Sequence, residues 1–423
     1  MLLRFSLYGL LKNQRYFEPF LILAYLELGL SFFEIGLLIG FRELAVNVME
    51  IPSGAIADVH GRRKAMIASF VAYIVGFVVL GLAKDLGLLF VAMAFLAVGD
   101  AFRTGTHKAI IFTWLRLEGR IDERTKIYGY TRSWSKIGSA ISALVAAGIV
   151  LATDSYTLVF FFAALPYVLN IVNFLGYPSS LDGNSDGAAA APFWAHLKAA
   201  FRNMLGHRGL RRLVAESMGY EGVFHAAKDY LQPVLLAVAA SSALAASLGG
   251  DLSDVQRSAI LIGIAYFGLH LLSSVASRQA HRVSDLAGGE ERAARWLWAA
   301  SVAVFGVVFA SGWYDVSALL IAAFVLMHVL QNLWRPALIS RIDAFGEEAQ
   351  GATVLSIESQ GRRVATMVLA PLLGVAMDAA QTEAIGDGPF WPIGLVGVVV
   401  GFLFLWASLT KKPVSELQRS PSA

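Results

Sequence analysis

Charged side chains recur inside the longest apolar runs of this sequence, and their spacing pairs them. Arg15 and Glu18 are three positions apart, as are Asp100 and Arg103, while Glu221, His225 and Asp229 follow at steps of four. Positions three or four apart share a helix face. The same rule aligns His328, Gln331, Asn332 and Arg335, then Glu43, Asn47 and Glu50 beside Arg42, then Arg132 and Lys136, and Glu358 with Arg362 and Arg363. A charge at the centre of a bilayer costs at least ~2.5–3.5 kcal/mol, so such groups pair with one another or line a watered cavity. A carboxylate or imidazole beside a cation in a half-dry setting can take up and release a proton. We therefore take Arg15, Glu18, Asp100, Arg103, Lys136, Glu221, His225, His328, Gln331 and Asn332 as candidates to meet a solute or a proton. Glu18, Lys136, Glu221 and His225 are the deepest of them. Glu50, Glu358 and Arg362 lie nearer a membrane edge and read as gate or latch residues. Blander readings stand beside these: Asp100 and Arg103 as a plain intrahelical ion pair, and Lys12, Lys108 and Arg335 as snorkelling anchors.

The elements that must position these residues follow from composition. Of 423 residues, 57% are hydrophobic and 15% charged, and mean hydropathy is +0.62. A soluble domain carries about a quarter charged residues, so the chain reads as a membrane protein. About twelve runs approach the roughly 20 apolar residues that a span needs. They predict helices over 9–28, 33–54, 65–84, 87–107, 127–152 and 156–177, then over 210–238, 257–279, 293–312, 316–338, 352–377 and 389–409. The expected domains are a bundle over 1–177, a polar cytoplasmic linker over 178–209 rich in Gly, Ser and Asp, a second bundle over 210–410, and a tail over 411–423. The first apolar run carries Lys12, Arg15 and Glu18 and reads as a retained span rather than a cleaved leader. There are no cysteines, which excludes disulfides and thiolate chemistry. No H-E-x-x-H, G-x-S-x-G or phosphate-binding glycine loop is present, so an enzyme is not expected, nor any cofactor or metal. The basic residues are spread over short loops and form no continuous nucleic-acid surface.

Loop charges orient the chain. One set of loops carries Arg62, Arg63, Lys64, Arg116, Arg120, Arg124 and Lys126, and later Arg211, Arg212, Arg278, Arg282, Arg341, Lys411 and Lys412; the opposite set is acidic, with Asp154, Asp251, Asp254, Asp315 and Asp387. The positive-inside rule places the first set, and both termini, in the cytoplasm. The first cation-rich loop reads Gly54-Ala-Ile-Ala-Asp58-Val-His-Gly61-Arg62-Arg63-Lys64 between two long apolar runs. Asp58 lies within reach of the cations that follow it.

This stretch resembles motif A of the major facilitator superfamily, with Gly54, Asp58, Gly61, Arg62 and Arg63 matching; Val59 and His60 depart from its usual residues. The counterpart in the second half, Ser274 to Arg282, keeps the basic character and loses the acid. The resemblance implies an all-α membrane fold of twelve transmembrane helices in two pseudo-symmetric six-helix bundles, working as a monomer in a bacterial inner membrane. It implies a secondary active transporter that moves a small solute by alternating access, with helices 1, 4, 7 and 10 lining the cavity, helices 3, 6, 9 and 12 facing lipid, and motif A as a cytoplasmic gate. Helices 3, 6, 9 and 12 have almost no interior charge, in agreement. We expect at least one of Glu18, Asp100 and Glu221 to carry a coupled proton; sodium coupling stays open. The excess of mid-depth cations leans towards a polar or anionic organic solute. The alternative is a drug–proton antiporter, although Ile137 to Gly148 lacks the Pro and paired Gly of the efflux branches; Ala370-Pro371-Leu-Leu-Gly374 in helix 11 is a related bend. A transporter-fold sensor that moves nothing is a third reading.

Overall fold

The computed structural model describes residues 1–120, 123–182, 207–241, 251–343 and 351–410, and the regular elements among them are all helical. In chain order these are α1 (Leu2–Leu11), α2 (Leu21–Glu27), α3 (Phe32–His60), α4 (Arg62–Leu82), α5 (Leu86–Arg103), α6 (Thr106–Leu117), α7 (Arg124–Thr153) and α8 (Leu158–Leu175). Then come α9 (Arg208–Ala227), α10 (Leu231–Ala239), α11 (Asp254–Ala287), α12 (Glu290–Trp313), α13 (Ser317–Asp343), α14 (Gly351–Thr382) and α15 (Trp391–Thr410). Among the described residues, eight helical segments are long and apolar enough to cross a membrane: α4, α5 with α6, α8, and α11 to α15.

Three expected helices are interrupted. The first is not continuous over 9–28: α1 ends at Leu11, and a 3-10 turn at Glu18–Phe20 leads into α2. Asn13 turns back to cap α1, its Nδ2 donating to Gly9 O at 2.7 Å. The fourth breaks after Arg103, where Gly105 takes φ +79°, and α6 then runs on to Leu117. Glycine tolerates that φ without a Cβ clash. Thr104 and Thr106 brace the break, their hydroxyls donating to Asp100 O and Phe102 O at 2.8 Å each. The seventh is broken by a 3-10 turn at Lys228–Tyr230.

The chain forms two compact units. One comprises Met1–Leu30, Phe41–Ala189 and Leu235–His270; the other comprises Ser31–Gly40, Ala190–Val234 and Leu271–Ala423. Each unit thus borrows a short piece from the other half of the sequence. Most of the expected linker lies outside the described residues, but its start does not. Ser179–Leu181 forms a 3-10 turn, Leu181 is buried, and Asp182 reaches the N-terminus of α4.

The first unit buries an aromatic cluster of Phe5, Tyr8, Phe70, Tyr73, Tyr167, Phe174 and Tyr177. The second centres on Tyr220, Trp298 and Trp334, with the Tyr220 and Trp334 rings stacked 4.3 Å apart. On α8 the exposed residues Leu158, Phe162, Leu165, Val168, Val172 and Leu175 repeat at helical spacing, and Leu395, Val399, Phe402, Leu403, Trp406 and Leu409 do so on α15. Apolar stripes of that length suit lipid rather than water.

Candidate functional site

In the first unit the polar interior is built on Asp100, near the end of α5. One carboxylate oxygen accepts from Arg42 of α3 at 2.5 Å. The other accepts from Arg103 at 3.0 Å and from the hydroxyl of Tyr73 on α4. Arg103 Nε also donates to Tyr73 Oη at 3.0 Å. Asp100 is 7% exposed, so one buried carboxylate meets two guanidinium groups and a phenol. Spacing anticipated the Arg103 contact; the Arg42 contact comes from 58 residues away and has no local signature. Arg15 pairs with Glu18 at 3.7 Å across the break after α1, with both side chains about a third exposed. Lys136 is among the residues whose side chains lie outside the described set.

Beside this network, where α1 and α5 lose continuity, a cavity of about 370 Å³ is lined by Lys12, Asn13, Tyr8, His107, Thr131, Ser135 and Ser139, with Phe5, Gly9 and Ile111 completing it. The Tyr8 ring lies 3.8 Å from the His107 ring and 5.3 Å from Lys12 Nζ, so it supports both. His107 Nε2 is buried without a hydrogen-bond partner among the described residues. None of the expected solute-binding residues whose side chains are described lines this cavity. Lys12 was expected to anchor at the surface, and Thr131 and Ser135 carried no signal apart from their i, i+4 spacing. The Thr104-Gly105-Thr106 run, followed by His107 and Lys108, is the sequence trace that marks the break.

In the second unit Glu221 of α9 is 1% exposed. His225 Nε2 stands 3.5 Å from it, and Gln331 Nε2 of α13 donates to both of its oxygens at 3.3 and 3.2 Å. His225 in turn meets Arg362 Nη1 of α14 at 2.7 Å. Glu358 is fully buried; Arg335 grips it with two bonds of 2.6 and 2.9 Å, and Ser217 donates to it as well. Arg335 is thus a partner of a buried acid, not the snorkelling anchor expected of it. Arg335, Ser217 and His225, which hold Glu358 and Arg362, all belong to the second unit. Of the α13 stripe, Gln331 and Arg335 reach other helices through these bonds, and the His328 ring lies 5.1 Å from that of Phe224 on α9. His328 Nδ1 contacts Phe324 O at 2.8 Å, and Asn332 donates to His328 O at 2.9 Å.

In the motif loop, Gly54 lies in α3, and Gly61 adopts φ +100° between α3 and α4. Asp58 lies in α3 with its side chain outside the described set. The acid seen with the arginines is Asp182. Its main-chain oxygen accepts from Arg62 N at 3.2 Å, and its carboxylate accepts from Arg63 N at 2.8 Å and lies 3.7 Å from Arg63 Nε. Arg63 also donates to Tyr177 O at 2.9 Å and Arg62 to Thr113 Oγ1 at 3.0 Å. A carboxylate at a helix N-terminus satisfies free N–H groups and the helix dipole together. Glu50 lies in α3, where Ser53 donates to its main-chain oxygen at 3.0 Å. Among the described residues, no group of three or more His, Asp or Glu is placed to hold a metal ion.

Residues 13–277 match the family model described as Major Facilitator Superfamily. Solved structures with the same fold include the nucleoside transporter NupG, with TM-score 0.73 at 14% identity, covering 97% of this chain and 99% of that one. Another is a bacterial homologue of the human lysosomal transporter Spinster, inward-facing and occupied, with TM-score 0.72 at 14% identity over 99% and 98%. A D-xylose–proton symporter gives TM-score 0.66 at 14% identity over 96% of each chain. At these identities the likeness shows the fold.

Proposed function

The chain belongs to the Major Facilitator Superfamily and is a secondary transporter, and on that premise we propose that it moves a small polar solute, an organic anion in our reading, by alternating access coupled to protons. In this reading it has twelve spans in two six-helix halves, sits in a bacterial inner membrane with its cation-rich loops in the cytoplasm, and works as a monomer.

The observation that carries proton coupling is Glu221. Asp100 is held by two guanidinium groups and a phenol, so protonating it would break two strong ion pairs. Glu18 is about a third exposed and paired with Arg15. Glu221 is buried, and its contacts are an amide and an imidazole, both compatible with a neutral carboxyl. Protonation there would rearrange the Glu221–His225–Arg362 chain across α9 and α14. That gives a proton a way to bias one conformation over another.

The test is uptake by proteoliposomes under an imposed pH gradient, compared with solute counterflow without one. Glu221→Gln should lose pH-driven accumulation, by about tenfold or more, and keep counterflow. If Gln at Glu18 and Glu221 and Asn at Asp100 each left pH-driven transport intact, proton coupling through these acids would be wrong.

A further inference from the structure

The Glu221–His225–Arg362 chain in the second unit turns on one atom. His225 Nε2 lies 2.7 Å from Arg362 Nη1 and 3.5 Å from a Glu221 oxygen. A guanidinium has N–H donors and no acceptor. Nε2 therefore accepts from Arg362, its lone pair is in use, and the ring hydrogen sits on Nδ1. A proton placed between Glu221 and His225, on either group, needs that same lone pair and displaces Arg362. The Glu221 side chain is 1% exposed and that of His225 30%, so the imidazole is the open member of the pair. The neighbouring charges are largely matched. Lys228, in the turn after α9, holds Asp229 at 2.7 Å, and Arg335 of α13 holds Glu358 of α14. Arg363 of α14 also acts on Arg362 and has contacts of its own. From α13 come Gln331, which binds Glu221, and His328, whose Nδ1 contacts Phe324 O; α15 brings no titratable side chain. Arg42, Arg103, Arg335 and Arg341 each hold a buried acid. Arg362 instead holds His225 and, at 3.4 Å, the Ser359 hydroxyl. Its Nε is buried without a hydrogen-bond partner, and among the described residues it forms no ion pair with a carboxylate.

We propose that Arg362 receives the carboxylate of the solute, and that a proton between Glu221 and His225 releases it to do so. The inference deepens the proton-coupled transport proposed above and rests on it for the role of the site, while the exchange of partners rests on the geometry at Nε2. Without the proton, Glu221 is an anion beside a neutral imidazole, and Arg362 is bound to that imidazole. With it, the pair is neutral, the lone pair is filled, and Glu358 is still spent on Arg335. The guanidinium has then lost both its best acceptor and the nearest unspent negative charge. A carboxylate from outside supplies both, and the planar fork of an arginine takes it with two parallel bonds. Proton and anion therefore bind together, each favouring the other by the same factor. An organic cation would be favoured by the opposite state, with Glu221 charged, and would bind more tightly as pH rises. A neutral solute would bring no counter-charge to Arg362. Arg362 touches the solute in this scheme, and His225 and Glu221 are positioning residues that act through it.

The experiment uses the full chain in lipid nanodiscs. Nitrogen NMR of isotope-labelled histidine and arginine needs no solute, and the two residues are assigned by the signals lost in His225→Leu and Arg362→Gln. In mild alkali His225 should show the Nδ1–H tautomer, with Nε2 bare. On acidification the His225 Nε2 and Arg362 signals should shift together. An Nε2–H tautomer in alkali, or Arg362 signals that ignore the change at His225, would overturn the switch. The solute arm uses L-lactate, succinate and D-gluconate, with L-lactamide as the neutral counterpart of lactate, and thermal stabilisation gives Kd by mass action. At least one anion should bind about tenfold or more tightly in mild acid than in mild alkali, equivalent to about 1.4 kcal/mol, and L-lactamide should not bind saturably. His225→Leu has no lone pair to hold Arg362, so its Kd should agree within about twofold at the two pH values. Arg362→Gln should lose the binding, and His225→Leu decides the matter if Arg362→Gln does not fold. No saturable response to any of the anions, equal binding of L-lactamide, tighter binding in alkali, or a pH dependence kept in His225→Leu would overturn the site. Uptake into proteoliposomes separates the two readings. Proton-linked binding without uptake leaves the site standing and removes the transport role. Proton-driven uptake that His225→Leu and Arg362→Gln leave unchanged removes the site and keeps the transporter.

Discussion

Glu358 is the buried charge with the most to lose. It is fully inaccessible, bound twice by Arg335 and once by Ser217. Removing one partner of such a pair strands the other without its counter-charge, which costs about 3–5 kcal/mol. Glu358→Ala should therefore lower thermal stability in detergent by that order, and Glu358→Leu combined with Arg335→Met should recover most of it. An unchanged melting curve for the single variant would mean that water reaches the site. The local half of this chemistry was legible beforehand: spacing of three or four brought together Arg15 with Glu18, Asp100 with Arg103, and Glu221 with His225. The other half was not. Arg42 with Asp100, Arg335 with Glu358 and Asp182 with Arg63 join different helices or a helix and a loop. Helix periodicity has nothing to say about such contacts, and Asp182 lay in a stretch whose composition reads as linker.

Helix ends show the same limit one level up. The N-terminus of α3 is capped from across the sequence: Asp378 near the end of α14 accepts from Phe32 N and Phe33 N at 2.9 Å each. Small residues allow the approach, since a Cβ on Gly374 would sit 2.6 Å from Phe33 Cα and one on Gly36 would sit 2.7 Å from Pro371 Cα. The start of α11 has a parallel arrangement. Asp154, which ends α7, accepts from the Ser253 hydroxyl, and Gln256 Nε2 donates to Leu151 O at 3.0 Å. These contacts explain why the first turns of α3 belong with α14 and the first turns of α11 with α7, a division that composition could not reveal. A lost cap costs about 1 kcal/mol. Asp378→Ala should accordingly speed amide exchange in the first turn of α3 about fivefold, with exchange in α8 unchanged as the internal control. Equal rates in both proteins would mean that packing alone holds the α3 terminus. The breaks after Leu11 and Arg103 also escaped the periodic reading, because an apolar pattern can continue in register through a kink and only Gly105 marked one of them.

At the scale of the whole molecule, the sequence spoke most clearly about its solvent. The apolar stripes along α8 and α15 are exposed where the composition called for lipid. Loop charge then makes a claim about orientation that can be tested directly, because the chain has no cysteine of its own and a single introduced thiol will be the one reactive site. Glu118 is exposed just after α6, beside Arg116 and Arg120, and Glu383 is exposed just after α14, before Asp387. If cation-rich loops are retained in the cytoplasm, Glu383→Cys should react with a membrane-impermeant maleimide in intact cells, while Glu118→Cys should react only after permeabilisation. The reverse pattern would turn the protein over. In the coupling proposed above, it would also reverse the side from which a proton would reach Glu221, whose own contacts would stay as they are. Labelling of both thiols in intact cells would mean that the two loops share a face, and an even number of spans could no longer separate α1 from α15.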